Sequence, residues 1–303
     1  MRIVVAGGSG FLGGALVRAW RSDGHEVKVL TRRPVGEDDV RWAPESGGSA
    51  VGAALEESDA VVNLAGEGIA DRRWTAARKA AILDSRVAST RVLANAIRAC
   101  SAPPRVFVSA SAVGFYGTHD DQTLTEESAA GSDFLATVCR SWERETSAAA
   151  GVARIVVLRS GVVLAAGGGA LSRMALPFRF FAGGRLGSGR QYMSWIHLED
   201  WVEMVRWALR SGDVNGPLNL TAPHPVTNGE FTRALASAMH RPALFPVPEV
   251  ALRMTLGKAF ADALLLGSQR VLPAKAQQLG FQFRFATIDS ALREIFEPRR
   301  PRS

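Results

Sequence analysis

Between Val4 and Gly14 the chain reads V-V-A-G-G-S-G-F-L-G-G: a short apolar run meets a glycine cluster and passes straight into an amphipathic helix. Gly7, Gly10 and Gly13 form G-x-x-G-x-x-G, and Gly8, Gly10 and Gly13 satisfy G-x-G-x-x-G at the same turn. Each glycine answers a separate need: a tight turn, close backbone approach to a pyrophosphate, and close packing of helix on strand. The helix N-terminus behind the turn offers unpaired N–H groups and a partial positive charge. A strand, this turn and a helix at the start of a chain predict a dinucleotide site.

The following helix carries Leu12, Ala15, Leu16, Ala19 and Trp20 at i, i+3, i+4, i+7 and i+8, and Gly24 closes it. Further strands are expected at Glu26–Thr31, Asp59–Leu64, Arg105–Ser109, Ala153–Arg159 and Pro217–Leu220. Helices are expected over 73–100, ended by Pro103-Pro104, and over 134–150, 170–181 and 197–210. Fully apolar strands alternating with helices predict an α/β fold, a doubly wound parallel sheet of Rossmann type. From Thr227 the chain is helical and proline-punctuated, which reads as a smaller, mainly helical C-terminal lobe. The expected division is 1–165 with 190–222 for the dinucleotide-binding domain, 166–189 with 223–298 for the substrate lobe, and a basic tail at 299–303.

Composition narrows the partners. The net charge of +7 comes almost wholly from arginine, scattered along the chain with no aromatic-interleaved basic stripe. Small anionic ligands such as phosphates are therefore expected, and nucleic acid is not. The N-terminal apolar residues run into glycines after five positions, and no apolar run approaches membrane-spanning length, so neither a leader nor a membrane partner is expected. Cys100 and Cys139 have no paired spacing, which fits a reducing cytoplasm. No His/Cys/Asp cluster has metal-ligand spacing, so no metal is expected.

The end of the second strand distinguishes the dinucleotides. An NAD site usually places an acid there for the ribose hydroxyls, but this strand ends Thr31-Arg32-Arg33, with no acid before Glu37. Arginine suits a 2′-phosphate through charge-assisted, often bidentate bonds. NADP (NADPH) is the expected cofactor; the alternative is that these arginines merely solvate the turn.

Several segments together resemble the short-chain dehydrogenase/reductase superfamily, and within it the atypical extended branch of "epimerase family" proteins related to nucleotide-sugar epimerases and dehydratases. They are G-G-S-G-F-L-G, T-R at Thr31, N-L-A-G-E from Asn63, S-A-S-A-V-G-F-Y-G over 109–117, R-S-G-V-V-L from Arg159, and L-G-S-G-R-Q-Y-M-S-W-I-H-L-E-D over 186–200. The resemblance spans essentially the whole chain. It implies that Gly7, Gly10, Phe11, Leu12 and Gly13 line the pyrophosphate and that Thr31 and Arg32 meet the adenosine phosphate. Leu64 and Ala65 would flank adenine and ribose, Arg86 would reach back to the cofactor, and Val163 would lie by the nicotinamide. A small-molecule substrate would occupy a cleft under the C-terminal lobe.

In that superfamily a Ser or Thr orients the substrate oxygen, a Tyr exchanges its proton, and a Lys four residues on lowers the tyrosine's pKa. Ser111 matches the serine, in a loop one residue longer than usual. The Tyr-x-x-x-Lys is absent: Tyr116 has Asp120 four residues on, Tyr192 has Ile196, and aligning Glu143 with the usual acidic position leaves Leu135 and Cys139 in place of Tyr and Lys. Met193 stands where related nucleotide-sugar enzymes have a diphosphate-gripping arginine, with Arg190 three residues earlier.

Tyr116, on the loop after the fourth expected strand, is the leading substitute acid/base; the competing reading is an aromatic packed beside Phe115. His197 and Cys139 read as structural, and Glu67 as a ligand contact or a cap. Two functions stay open: an NADP(H)-dependent oxidoreductase or epimerase-like enzyme using Ser111 and Tyr116, and a non-catalytic NADP(H) sensor. Nothing in the sequence decides a homodimer.

Overall fold

The computed structural model describes residues 1–44 and 49–297. The expected basic tail lies outside these residues. Seven strands form one sheet: β1 (Arg2–Ala6), β2 (Glu26–Thr31), β3 (Asp39–Arg41), β4 (Ala60–Asn63), β5 (Val106–Ala112), β6 (Arg154–Ser160) and β7 (Gly216–Leu220). Their order is β7-β6-β5-β4-β1-β2-β3, in a parallel, Rossmann-like sheet with flanking helices.

The chain builds outward from β1 to β3, then returns to the other side of β1 at β4. That reversal makes the crevice at the carboxyl ends of β1 and β4 the place where open α/β sheets hold ligands. The register sets Val5 opposite Val29 on β2 and opposite Val62 on β4. All four β4 residues are buried, as are Ile3 to Ala6 of β1. These continuous apolar runs are what a sheet covered on both faces requires.

The chain divides into two compact units. Unit 1 comprises residues 1–115, 136–159 and 202–218; unit 2 comprises 116–135, 160–201 and 219–303. In unit 1, α1 (Phe11–Ser22) buries Ala15, Leu16, Val17 and Trp20, and Gly24 at φ +79° turns the chain into β2. Helix α2 (Ser49–Leu55) and strand β3 answer to no signal noted in the sequence. Helix α3 (Ala76–Ala99) is capped by Thr75, whose side chain accepts from the Arg78 N–H at 3.1 Å. A core joins β1 and β4 to α2 and α3 through Val4, Val61, Val51, Leu55, Leu93 and Ile97.

Helix α4 (Phe134–Glu145) stops short of the expected 134–150, and a 3-10 turn, Thr146–Ala149, follows. The reason is local: the Thr146 and Ser147 hydroxyls donate to the carbonyls three residues back, Glu143 and Arg144, at 2.7 Å each. Such back-bonding competes with regular helix.

Unit 2 contains α5 (Gly169–Arg179), the first turn of α6 (Leu198–Arg210), α7 (Asn228–Met239), α8 (Glu249–Leu256), α9 (Lys258–Leu264), α10 (Ala274–Gln278) and α11 (Ile288–Phe296). A full capping box between Thr227 and Glu230 starts α7. The unit's core gathers Leu171, Phe178, Trp195, Phe231, Leu235, Phe285, Ile288 and Leu292. No helix among the described residues is long and apolar enough to cross a membrane.

Candidate functional site

The turn after β1 is built almost entirely by exclusion. Gly7 sits at φ +80°, and a Cβ there would lie 2.7 Å from the Leu64 carbonyl carbon and oxygen. On Gly13 it would lie 2.2 Å from the Gly7 oxygen, and on Gly8 2.7 Å from Val29 Cγ1. Gly10 differs. Its φ is −76°, and an added Cβ would meet only the Gly7 oxygen, at 3.3 Å. The Gly10 N–H donates to Gly7 O at 3.0 Å, and the Gly14 N–H to Gly10 O at 2.8 Å, which closes the turn onto α1. Gly10 and Phe11 are exposed and Leu12 is half-buried.

Across the crevice, β4 ends in Asn63, whose side-chain oxygen accepts from the Ala65 N–H at 3.1 Å while its amide donates to Thr90 at 2.8 Å. This fully buried asparagine fixes the path of Leu64 and Ala65, both half-buried. At the end of β2, Thr31 Oγ1 accepts from the Arg33 N–H at 3.2 Å. Arg32 is exposed, and among the described residues it has no hydrogen-bond or ion-pair partner. Arg86 is half-buried on α3, its guanidinium carbon 5.1 Å from the Trp142 ring centroid. Glu67 accepts from Arg78 at 3.1 Å, and its N–H donates to Ser85. The expected cofactor residues of unit 1 therefore gather on α1, α3 and the carboxyl ends of β1, β2 and β4. Val163 belongs to unit 2, buried in a short strand, Val162–Leu164, that runs parallel to Trp195–His197.

The expected acid/base residues have different surroundings. Ser111, at the end of β5, is buried, and its hydroxyl donates to Glu143 Oε1 at 2.6 Å. Arg159 donates to both oxygens of that carboxylate, at 3.0 and 2.8 Å, while lying over the Phe115 ring at 3.4 Å. The single Ser111 proton is thus directed at Glu143, which leaves the oxygen free to accept. Tyr116 is fully buried in unit 2, and its hydroxyl donates to Asn219 Oδ1 at 2.7 Å. Asn219 is held in turn: its amide donates to Leu272 O, and its backbone N–H to Glu126. A phenol locked in this way needs rearrangement before it can meet a substrate.

Burial and the neighbouring Glu143 push the Cys139 thiol up to about 11. It is uncharged at neutral pH and donates weakly to Ala112 O. His197 is buried in unit 2, its Nε2 3.1 Å from Glu294 and its Nδ1 accepting from the Glu199 N–H. Arg190 is exposed, and Met193 pairs with Val226 in a two-residue strand.

Glu143, Arg159 and Asn219 had not been singled out as site residues, though a sequence signal exists for one of them. Arg159 breaks the apolar run I-V-V-L of β6 and yet is 3% exposed, so a buried counter-charge had to exist.

Residues 3–221 match the NAD dependent epimerase/dehydratase family, and residues 247–295 match a domain of unknown function (DUF1731). An "epimerase family protein" of Mycobacterium tuberculosis is 45% identical over 292 residues, covering 96% of each chain. The chain is also similar to the crystal structure of human epimerase family protein SDR39U1 with NADPH, at 37% identity and a TM-score of 0.91 over 98% of this chain and 99% of that one. A nucleoside-diphosphate sugar epimerase from Corynebacterium glutamicum gives 33% identity and a TM-score of 0.80, over 98% of this chain and 58% of that one. With the glycine turn, the seven-stranded sheet and these full-length likenesses together, the chain belongs to the NAD dependent epimerase/dehydratase family, as an extended short-chain dehydrogenase/reductase protein of the epimerase-family type.

Proposed function

We propose that the chain binds NADP(H) at the turn after β1 and acts as an epimerase-like oxidoreductase on a small substrate, without the family's Tyr-x-x-x-Lys. The observation that carries the binding reading is Gly10. Gly7, Gly8 and Gly13 are required by the chain's own packing, whereas Gly10 borders open space at the N-terminus of α1. A glycine with that freedom fits close approach by a pyrophosphate. In this reading Gly7, Phe11, Leu12 and Gly13 frame the diphosphate, Leu64 and Ala65 flank the adenosine, and Val163 lies near the nicotinamide. Thr31 and the exposed Arg32 take the 2′-phosphate; the NADPH in the human relative supports that choice.

The bound nicotinamide would supply or accept a hydride. The chain's own contribution is positional. Because the Ser111 hydroxyl donates its hydrogen bond to Glu143, its oxygen is left to accept a hydrogen bond from a substrate hydroxyl and so orients that hydroxyl. The Arg159–Glu143 pair holds the serine in this polarity. Tyr116 is assigned to packing, where its hydroxyl bond to Asn219 leaves it. The second reading, an NADP(H) sensor without turnover, is favoured by that buried phenol and by the uncharged Cys139 thiol.

Calorimetry tests the cofactor. NADPH should bind tighter than NADH, and Arg32→Ala should remove most of the difference, about 10- to 100-fold for charged hydrogen bonds of about 1.5–3 kcal/mol. Equal affinities in the wild type would overturn the NADP assignment. Turnover of NADPH with carbonyl compounds and of NADP+ with the matching alcohols separates enzyme from sensor, and an unchanged rate of alcohol oxidation in Ser111→Ala would remove the serine from the mechanism.

A further inference from the structure

Large apolar side chains stand in solvent on two stretches of unit 2: Leu176, Phe180 and Phe181 at the end of α5, and Leu244 and Phe245 after α7. Single exposed apolar residues are ordinary, whereas a contiguous group marks an interaction surface. These two stretches meet. Leu176 and Phe180 are four residues apart at the end of α5, which sets them on one side of it. The Arg241 guanidinium lies over the Phe181 ring, 4.7 Å from its centroid, and ties the second stretch to the first. Beyond it the Phe245 N–H donates to Gly183 O at 3.1 Å and the Val247 N–H to Arg185 O at 2.8 Å, so residues 245–247 run alongside 183–185.

Phe181 is held on this face against the preference of its backbone. Helix α5 ends in a Schellman motif, with the Ala182 N–H donating to Pro177 O at 2.9 Å and the Phe181 N–H to Phe178 O at 3.0 Å. Phe181 occupies the left-handed position of that motif, at φ +59°. Glycine is the usual residue there, and a bulky side chain is strained. The core does not require the ring: Phe178 already turns inward to it, while Phe181 is 55% and Phe180 74% exposed.

Charge completes the face. Residues 170–190 hold four arginines and no acid, and residues 241–248 hold Arg241 and no acid. Arg179, Arg185 and Arg241 are all exposed. A second copy of the chain suits this face poorly, because a two-fold contact would set these arginines against their own copies. A membrane surface carrying anionic lipid suits it well: apolar rings enter the boundary between headgroups and acyl chains, and arginines reach the phosphates. Lying on a membrane needs no apolar run of spanning length, which the sequence lacks. The chain's net charge of +7 adds attraction to the same surface.

We infer that this face of unit 2 docks on an anionic membrane, with Phe180, Phe181, Leu244 and Phe245 in the lipid boundary and Arg179, Arg185 and Arg241 at the headgroup phosphates. The inference stands apart from the dinucleotide reading, which rests on the glycine turn of unit 1.

Flotation of the full chain with lipid vesicles tests it. Wild type should float about ten-fold more with vesicles of phosphatidylcholine and phosphatidylglycerol than with phosphatidylcholine alone, and less as salt is raised. Phe180→Ser with Phe181→Gly removes both rings and relieves the backbone, so this variant should melt no lower than wild type while losing flotation about ten-fold. Leu244→Ser, in the other stretch, should lose flotation in the same direction. Arg179→Gln with Arg241→Gln should lose the preference for anionic vesicles. Arg98→Gln with Arg144→Gln removes equal charge from exposed positions of unit 1 and should float as wild type does. The inference is overturned if wild type floats with neither vesicle, if the phenylalanine variant floats as wild type does, or if the Arg98 and Arg144 pair matters as much as the Arg179 and Arg241 pair. Two further results would also overturn it, each in a wild type that ignores vesicles. A dimer in sedimentation velocity that the phenylalanine changes abolish would give the face to a second copy, and binding of a soluble peptide of alternating Glu and Leu would give it to an acidic protein.

Discussion

Gly10 and Gly13 carry the same absence of a side chain, three residues apart, and an added methyl meets different obstacles at each. At Gly13 the methyl would strike the Gly7 carbonyl oxygen at 2.2 Å and Gly8 Cα at 2.8 Å. Both are backbone atoms of the turn and have no rotamer by which to yield. Gly13→Ala should therefore cost about 1–3 kcal/mol of overpacking, visible as a lower Tm with or without ligand. At Gly10 the nearest atom is 3.3 Å away and the backbone suits any residue. Gly10→Ala should cost less than about 1 kcal/mol, in the range of helix-cap substitutions, yet weaken NADPH binding at least ten-fold. Melting curves and calorimetry on the two variants separate the effects; wild-type NADPH affinity in Gly10→Ala would mean that no ligand approaches there. The sequence pattern gives the glycines separate needs, and the packing around them shows which serve folding and which leaves room for a ligand. Ser111 and Tyr116 carry the same lesson: residue type marks both as proton donors, but a donor's direction depends on Glu143 and Asn219, distant in sequence and brought close by β5, α4 and β7.

Elements with a strong period were legible from the chain alone. Strand β2 matches its expected span residue for residue, because a β-branched run between turn signals has few alternatives. Helix α3 lies within its expected span for the same reason, bounded by the Thr75 cap and the prolines beyond Cys100. Short elements were not: β3 has three residues, and Val162–Leu164 is a strand only because Trp195–His197 pairs with it. His197 shows how such pairing fixes chemistry. It ends that strand, and its ring sits between Phe285, centroids 4.0 Å apart, and Glu294 of α11. Burial lowers its pKa, with Glu294, Glu199 and Asp200 pulling the other way. A histidine whose folded pKa is depressed contributes stability above its unfolded pKa, about 6.5, and that stability is lost as pH falls and the unfolded chain takes up the proton. The Tm of the wild type should thus fall from pH 7 to pH 5 more steeply than that of His197→Gln. Parallel curves would show that His197 titrates as it does in an unfolded chain.

At the scale of the whole molecule the chain order and the spatial order diverge, and that limits what a fragment can do. Unit 1 is completed by residues 202–218, which return after the chain has already entered unit 2. From this return come the rest of α6 and most of β7, the strand that covers the edge of β6. Arg154 at the start of β6 directs its guanidinium to the carbonyls of Ala208, Leu209 and Val214. A fragment ending at residue 165 would contain the glycine turn and six of the seven sheet strands, and would look like a self-sufficient nucleotide-binding domain. It would lose the buried side chains Met204, Val205, Leu209, Val214 and Leu218. At about 1.5–3 kcal/mol for each large apolar side chain, that is on the order of 8–15 kcal/mol, comparable with the whole stability of about 5–15 kcal/mol typical of a folded protein. It would also leave β6 as an uncovered edge carrying Val156, Val157 and Leu158, a template for aggregation. The 1–165 fragment should show no cooperative thermal transition by circular dichroism and should pellet at micromolar concentration, whereas a chain ending at residue 297 should melt as the full-length protein does. A sharp transition in 1–165, with NADPH binding intact, would mean that the returning segment is dispensable to the dinucleotide site.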